Sequence, residues 1–575
     1  MALVAWVSYR AARREADTQE GYFLAGRGLG ALFIAGSMLL TNLSAEQLVG
    51  LNGSAYGYNL SSMAWEVTAA FATIAMAFVF LPKYLAGAFT TLPEFLRSRY
   101  DDSLRRWTVL LFMVGYGLVT IPSVLYAGSL AVLQLFDLPL LLDIGRGSAL
   151  VLTIWTIGLV GSAYAIFGGM RAIAVSDTLN GMGLLVMGLA IPLLGLRLLG
   201  EGDIVTGAVI IATEESHKLN AIGGSNDPTP FATLFTGMLL ANLFYWCTNQ
   251  YVIQRTLSAR SLAEGQKGVL LSGFFKVMVP LIMMLPGVIA YHLYWGEGAA
   301  SGLSSMDLAY PQLVRDVLPG WAQGLFLAVL MGAVFSSFNS LLNSAATLLC
   351  LDVYAPLRAR RGHRVDDEEM IRIAKRAGLG IAIVSFIIAP LLQYAPDGLW
   401  QLIRIFTGFY NIPVIAIVLF AMFAKRTSPE AAKAVIVFHV IAYGLMQFVF
   451  KETLPIHFLH HYAVLFVIEL GILFIGARRQ RAERPWMMDH ADSVDLTPWR
   501  FALPCAVSLG SCVVGLYLLF SPIGLVGGLS FAFWPLMSLL ITLNAGLWLH
   551  WIYRVARLDY SLWIKKTKRS KTCEL

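Results

Sequence analysis

An all-α polytopic membrane protein is the fold class this sequence predicts, and three observations predict it. Hydrophobic residues fill 57% of the 575 positions and charged ones only 13%, with a mean hydropathy of +0.68. A soluble domain of that length needs far more charge to cover its surface. Fourteen apolar stretches have the ~20 residues that a bilayer crossing requires. Lys and Arg collect in every second loop, as the positive-inside rule demands.

The chain opens on an apolar run, residues 1–9, that is too short to span and is followed at once by Arg10, Arg13 and Arg14. A signal peptide carries its basic residues before the apolar run. Residues 1–27 are therefore expected to be the end of a truncated helix and a cytoplasmic linker. Full spans follow at 28–51, 59–82, 104–136, 147–167, 171–200, 229–253, 268–292, 320–351, 371–394, 398–424, 428–450, 457–476, 501–520 and 528–553. Of the 42 Lys and Arg residues, 35 fall in segments 10–27, 83–106, 254–267, 352–376, 425–433 and 477–500, the turn at Arg171 and the tail from Arg554. The opposite side holds only Arg146, Lys218, Arg315 and Lys451. The basic side, tail included, is read as cytoplasmic, which places the chain across the cell membrane with the lipid bilayer as its surroundings. The net charge of +7 is thus topology and not a nucleic-acid footprint. The five cysteines, Cys247, Cys350, Cys505, Cys512 and Cys573, show no metal or redox spacing and read as free thiols.

Two spans carry polar interruptions. The first is Thr41-Asn42-Leu43-Ser44-Ala45-Glu46-Gln47, with Asn52-Gly53-Ser54 after it; the second is Asn242 through Gln250 in the sixth span. Irregular backbone at membrane depth must be buried in protein or line a wet cavity, so each break marks a site. Breaks at matching places in successive five-span sets predict an inverted 5+5 repeat with a solute between them. On this reading residues 28–424 form the transport core, 425–556 are peripheral helices and 557–575 are a basic tail. Glu46, Glu66, Asp177, Lys276 and Arg404 lie within spans. A charge at the bilayer centre costs at least ~2.5–3.5 kcal/mol, so these groups predict a shared hydrated cavity, or pairs such as Glu66 with Lys276. In the eighth span, Ser336 and Ser340 share a helical face beside Ser337. Hydroxyls with freed carbonyls suit a desolvated Na⁺; tight helix packing by small residues is the alternative.

Taken with Tyr22-Phe23-Leu24-Ala25-Gly26-Arg27, Asn42 through Gln47, Asn249 through Leu257, and Ser336-Ser337 through Asn343-Ser344, the chain resembles the sodium/solute symporter family, and within it the bacterial sodium–galactose members. The likeness covers about residues 20–425. It implies a coupling Na⁺ held by the carbonyls of Leu40, Leu43 and Ala333 and the hydroxyls of Ser336 and Ser337. It implies a sugar bound by Gln47, Glu66, Asn242 and Lys276, with Tyr245 as an inner gate that Asn42 ties to the broken helix. Leu51, Trp65 and Trp400 match outer gate positions. Asp177 matches an acidic residue on the sodium exit path. A second Na⁺ near Asp177, Ser336, Asn339 and Ser340 stays open, because Asn339 stands where two-sodium relatives have serine.

Arg404 stands where the sodium–galactose members have a neutral amide. With Lys276 it supplies two cations near Glu66, which raises an acidic sugar or other organic anion as the alternative solute. The competing reading is that Arg404 neutralises Glu66. His457, His460 and His461 have helical metal-ligand spacing but sit at a span's edge, where interfacial histidines are expected. A membrane sensor with this fold is a remote alternative, disfavoured by a tail of about twenty residues after Arg554. HExxH, GxSxG and clustered metal ligands are missing from the spans, so an enzyme is not expected. Neither is an obligatory protein partner.

Overall fold

Polar sequence and broken helix coincide at the start of the membrane region of this computed structural model. It describes residues 6–8, 10, 18–136, 138–295, 302–303, 305–363, 365–394, 399–451, 453, 456–479 and 494–572; the side chains at 134–135, 163–168, 399–401 and 558–572 lie outside that set. Most of the expected truncated first helix, and Cys573, therefore fall outside the described residues.

Helix α1 (Ala31–Asn42) and α2 (Ala45–Gly57) meet at a 59° bend. The break falls at Leu43 and Ser44, where ψ opens to 81° and 169°. Then come α3 (Leu60–Ala86), α4 (Asp102–Leu133), the shorter α5 (Arg146–Ser162) and α6 (Gly169–Leu199). Gly169, at φ 61°, turns the chain between the last two as only glycine does without strain. The second polar break separates α7 (Gly237–Cys247) from α8 (Gln250–Leu257). A 47° bend joins α9 (Leu262–Val277) to α10 (Val279–Tyr294). The long α11 (Gly320–Arg360), α12 (Asp367–Tyr394), α13 (Leu402–Phe423), α14 (Pro429–Val449), α15 (Phe458–Arg479), α16 (Ala502–Leu519) and α17 (Phe533–Arg557) complete the set.

Among the described residues, ten helices are long and apolar enough to cross a membrane, or up to twelve with each bent pair taken as one span. The expected spans 147–167 and 229–253 correspond to shorter pieces, α5 and the broken α7/α8, so length and apolarity alone do not reach fourteen. The last helix continues to Thr572, where a separate tail was expected.

Packing explains why the core is rigid around its breaks. A Cβ at Gly36 would lie 2.7 Å from Thr178 Oγ1, so glycine lets α1 and α6 approach backbone to backbone. On the peripheral side, three side chains grip one turn of α13. Tyr462 Oη donates to the Arg404 carbonyl (2.9 Å), Tyr443 Oη to that of Ile405 (3.1 Å) and His439 Nε2 to that of Gly408 (3.0 Å). A Cβ at Gly408 would collide with both tyrosine hydroxyls. His439 Nδ1 lies 2.5 Å from Glu469 Oε1, and both residues are fully buried.

Not every loop cation is solvated. Arg99, Arg105 and Arg255, counted above with the basic loops, are 3%, 4% and 0% exposed. Arg99 Nε donates to the Ala421 carbonyl at 2.8 Å, and Arg105 lies 3.6 Å from Asp352.

Candidate functional site

The second break is held from outside its own helices. The Tyr84 hydroxyl donates to the Cys247 carbonyl at 3.0 Å, and that of Tyr116 to Asn249 Oδ1 at 2.5 Å. At the first break the backbone is rearranged. The Ser44 amide turns to the Asn42 carbonyl (2.9 Å) and the Gln47 amide to that of Ser44 (3.1 Å). Those amides are the ordinary helical donors to Leu40 and Leu43, so both carbonyls are released.

Between the breaks lies a cavity of about 70 Å³, room for roughly five waters. Its walls bring together Asn42, Gln47, Trp65, Glu66, Asn242, Tyr245, Ser337 and Arg404 from the sequence reading. Gln47 Nε2 donates to Glu66 Oε1 at 2.9 Å, and the other carboxylate oxygen accepts from Lys276 Nζ. Lys276 is fully buried behind Glu66, with its ammonium 5.4 Å from the Trp246 ring centre. Asn242 Nδ2 donates to Thr68 Oγ1 at 2.9 Å. The Tyr245 hydroxyl accepts from that of Tyr251 at 2.8 Å and is faced by the Asn42 amide. The Arg404 guanidinium lies over the Trp65 ring, 4.3 Å from its centre, in cation–π contact. Trp65 stacks in turn on Phe458 at 6.4 Å. Leu51 is fully buried and stands outside the cavity wall. The side chain of Trp400 lies outside the described residues.

A second polar cluster sits where α11 crosses the end of α1. Ser337 Oγ donates to the Thr41 carbonyl at 3.3 Å, and the hydroxyls of Thr41 and Ser340 are 3.2 Å apart. Ser336 Oγ donates to Asp177 Oδ1 (2.6 Å) and Ser37 Oγ to Oδ2 (2.5 Å). A hydroxyl that gives its proton to an oxygen keeps its lone pairs for a cation. Ser336 and Ser337, with the released carbonyls of Leu40 and Leu43, are thus the residues that could hold a cation here; Ala333 is fully buried on the same helix as the serines. Asn339 Oδ1 is buried without a hydrogen bond.

Arg255 fills the space beside Asp177. Its Nε donates to Ser37 Oγ at 3.1 Å, and its terminal nitrogens donate to the Tyr251 carbonyl and the Ser340 hydroxyl. NH2 lies 3.9 Å from Asp177 Oδ2. A cation of the protein thus already occupies the Asp177–Ser340 region considered for a second Na⁺. Sequence reasoning placed Arg255 in a loop because it follows an apolar span directly; its partner lies on α6.

Glu46 also belongs to the cavity wall, together with Thr407, Tyr410 and Asn411. Glu46 was expected there, as a charge of the first polar break and of a shared cavity. The α13 residues follow Arg404 at three, six and seven positions, a helical spacing that could have found them. The three histidines diverge. His460 Nδ1 meets Thr236 Oγ1 and His461 Nδ1 meets Gln447 Nε2, each at 3.0 Å. Burial pushes His457 down to about 4. Among the described residues no group of three or more His, Cys, Asp or Glu could hold a metal ion.

Helices this long and apolar, two of them broken around a polar cavity, define a multi-pass membrane protein with the architecture of a secondary transporter. The sequence model of the sodium:solute symporter family matches residues 22–437, and the chain belongs to that family. It is 41% identical over 518 residues to the uncharacterized symporter YidK of Escherichia coli (strain K12), covering 90% of this chain and 88% of the relative. It is 31% identical over 444 residues to the sodium/glucose cotransporter of Vibrio parahaemolyticus, covering 74% and 79%. Among solved structures, a substrate-bound, outward-open Na⁺-coupled sialic acid symporter superposes with a TM-score of 0.71 at 20% identity, over 84% of this chain and 96% of that one. Sodium is the co-transported ion of this family.

Proposed function

We propose that this chain imports a neutral polyhydroxylated solute, a sugar or sugar derivative, together with Na⁺ by alternating access between two halves of an inverted repeat within residues 28–424. The observation that carries the reading is the balance of charge around the cavity. Glu46 and Glu66 are matched by Lys276 and Arg404, so an uncharged solute can exchange hydrogen bonds with the three that line the cavity, Glu46, Glu66 and Arg404, without leaving a buried charge uncompensated. Gln47, Glu66 and Asn242 are the polar ligands, with Lys276 acting through Glu66. Trp65 and Tyr245 close the site from the two sides, joined by Leu51 and Trp400 on the outer path, and Asn42 steadies Tyr245. The sugar named for the Vibrio relative agrees with this chemistry.

Sodium binds at the α1 break through the carbonyls of Leu40, Leu43 and Ala333 and the hydroxyls of Ser336 and Ser337. Coupling needs no bond chemistry. If Na⁺ stabilises the broken end of α1 in the state that admits solute, each ligand raises the affinity for the other by the same factor. Asp177 is assigned to the way out, and the guanidinium already beside it supports a cycle with one Na⁺. The basic loops face the cytoplasm.

Uptake into proteoliposomes tests the reading: glucose, galactose or myo-inositol should accumulate only under an inward Na⁺ gradient. No Na⁺-driven uptake of any neutral sugar would overturn it. The second reading, an acidic sugar, is favoured by one observation, the guanidinium of Arg404 held open to the cavity by its stacking on Trp65. Preferential uptake of glucuronate or sialic acid would decide for it.

A further inference from the structure

The ends of α13 and α15 that the loop charges assign to the cytoplasm enclose a groove of about 640 Å³ on the outer face of the bundle. Its floor is apolar, built by Leu419, Phe420 and Phe423 from one helix and Phe466, Leu470 and Phe474 from the other. Phe423 and Phe474 are 66% and 51% exposed, as aromatics are where bilayer chains meet head groups. Its mouth is cationic. Lys425, Arg426 and Arg478 border it, and the Arg478 guanidinium lies 4.3 Å over the Phe474 ring.

Four other cations on this side are paired with carboxylates. Arg97 pairs with Asp102 (2.9 Å), Arg358 with Glu369 (3.3 Å), Arg372 with Glu368 (2.7 Å) and Lys433 with Asp101 (3.4 Å). Among the described residues, Lys425, Arg426 and Arg478 have no carboxylate partner. Three cations without a carboxylate partner among the described residues, over an apolar trough at the basic end of the helices, match one kind of molecule from end to end.

We propose that this groove binds an anionic phospholipid, with an acyl chain along the aromatic floor and the phosphate held by Lys425, Arg426 and Arg478. Arginine presents a planar fork that fits phosphate oxygens in pairs, and basic pockets between helices on the cytoplasmic side suit anionic head groups. A zwitterionic lipid would leave the three cations uncompensated. A second copy of the chain would need carboxylates to meet them.

The test uses the full chain, purified in detergent and stripped of lipid. Melting temperature and native mass spectra are compared after adding phosphatidylglycerol or phosphatidylcholine with the same acyl chains. Phosphatidylglycerol should remain bound and raise the melting temperature more than phosphatidylcholine. Each neutralised cation in the variant K425Q/R426Q/R478Q should weaken its binding about fivefold. Equal effects of the two lipids, or unchanged phosphatidylglycerol binding by the variant, would overturn the proposal. So would an equal effect of glycerol phosphate, which has the head group without the chain, or lipid-independent dimerisation that blocks the groove. Should the triple variant not fold, Arg478→Gln alone, at an exposed position, serves: undiminished phosphatidylglycerol binding would again count against the site.

Discussion

Arg255 and Arg404 both carry a guanidinium inside the helix bundle, and they are held in opposite ways. Arg255 is fully buried and spends its donors on Ser37, Tyr251 and Ser340, beside the carboxylate of Asp177. Arg404 is partly exposed, lies on the face of Trp65 and borders the cavity with Glu66 and Asn411. The contrast separates a charge that ties four elements together from a charge that a visiting molecule can reach. It also separates two regions: a lower cluster that fixes α1, α6, α8 and α11 to one another, and an upper cavity whose wall groups have room to exchange partners.

Removing the charge at each place should show the difference. Arg255→Leu leaves Asp177 buried without its cation, and breaking such a pair costs about 3–5 kcal/mol. The expected result is a large loss of folded protein and of melting temperature in detergent. Arg404→Leu gives up a cation–π contact of about 0.5–2 kcal/mol and should fold. Equal losses from the two substitutions would erase the distinction. At the boundary between the regions, Ser337→Ala removes one oxygen from the proposed Na⁺ set. It should raise the Na⁺ concentration for half-maximal uptake about tenfold, the factor for roughly 1.4 kcal/mol, with the melting temperature unchanged. Unaltered sodium activation would take Ser337 out of the site.

The fourth substitution concerns the cavity alone. Arg404→Gln tips the wall towards negative charge, with Glu46 and Glu66 opposed by Lys276. Uptake of glucuronate or sialic acid should fall relative to glucose by about tenfold, the scale of one charge-assisted hydrogen bond. A solute profile that does not move would make Arg404 a structural residue like Arg255.

The upper region was far more legible in the sequence than the lower. Asn42, Gln47, Asn242 and Tyr245 stand out because polar residues inside an apolar run have a single physical excuse, a cavity or a break, and the chain supplies both. Lys276 and Glu66 stand out for the same reason. Arg255 does not, since an arginine just past an apolar span looks like one more cytoplasmic loop charge, and only the break before α8 carries it back into the protein. Length and apolarity alone do not reach the fourteen expected spans, for a related reason. A helix that bends at Ser44 or stops at Thr248 is read by composition as one crossing, but its pieces are too short to qualify alone. The grip on α13 was invisible: His439 and Glu469 are 30 residues apart on peripheral helices, and nothing in either helix announces that they meet.

That grip yields the smallest expected effect. His439 Nε2 faces a carbonyl, so it must carry a proton, and Nδ1 and Glu469 then share a second one. Glu469→Gln preserves the arrangement, because the amide donates to Nδ1 while Nε2–H still reaches Gly408. It should leave uptake unchanged. His439→Leu instead leaves Glu469 buried without its partner and frees the turn that carries Arg404 and Thr407. Hydrogen exchange over residues 404–412 should quicken, and the KM for the transported sugar should rise about threefold, less than one hydrogen bond's worth, with the sodium requirement untouched. The split matters because α13 lines the cavity while the proposed Na⁺ set lies on α1 and α11. If His439→Leu alters sodium activation and sugar KM together, the two regions are one mechanical unit and the division between them fails.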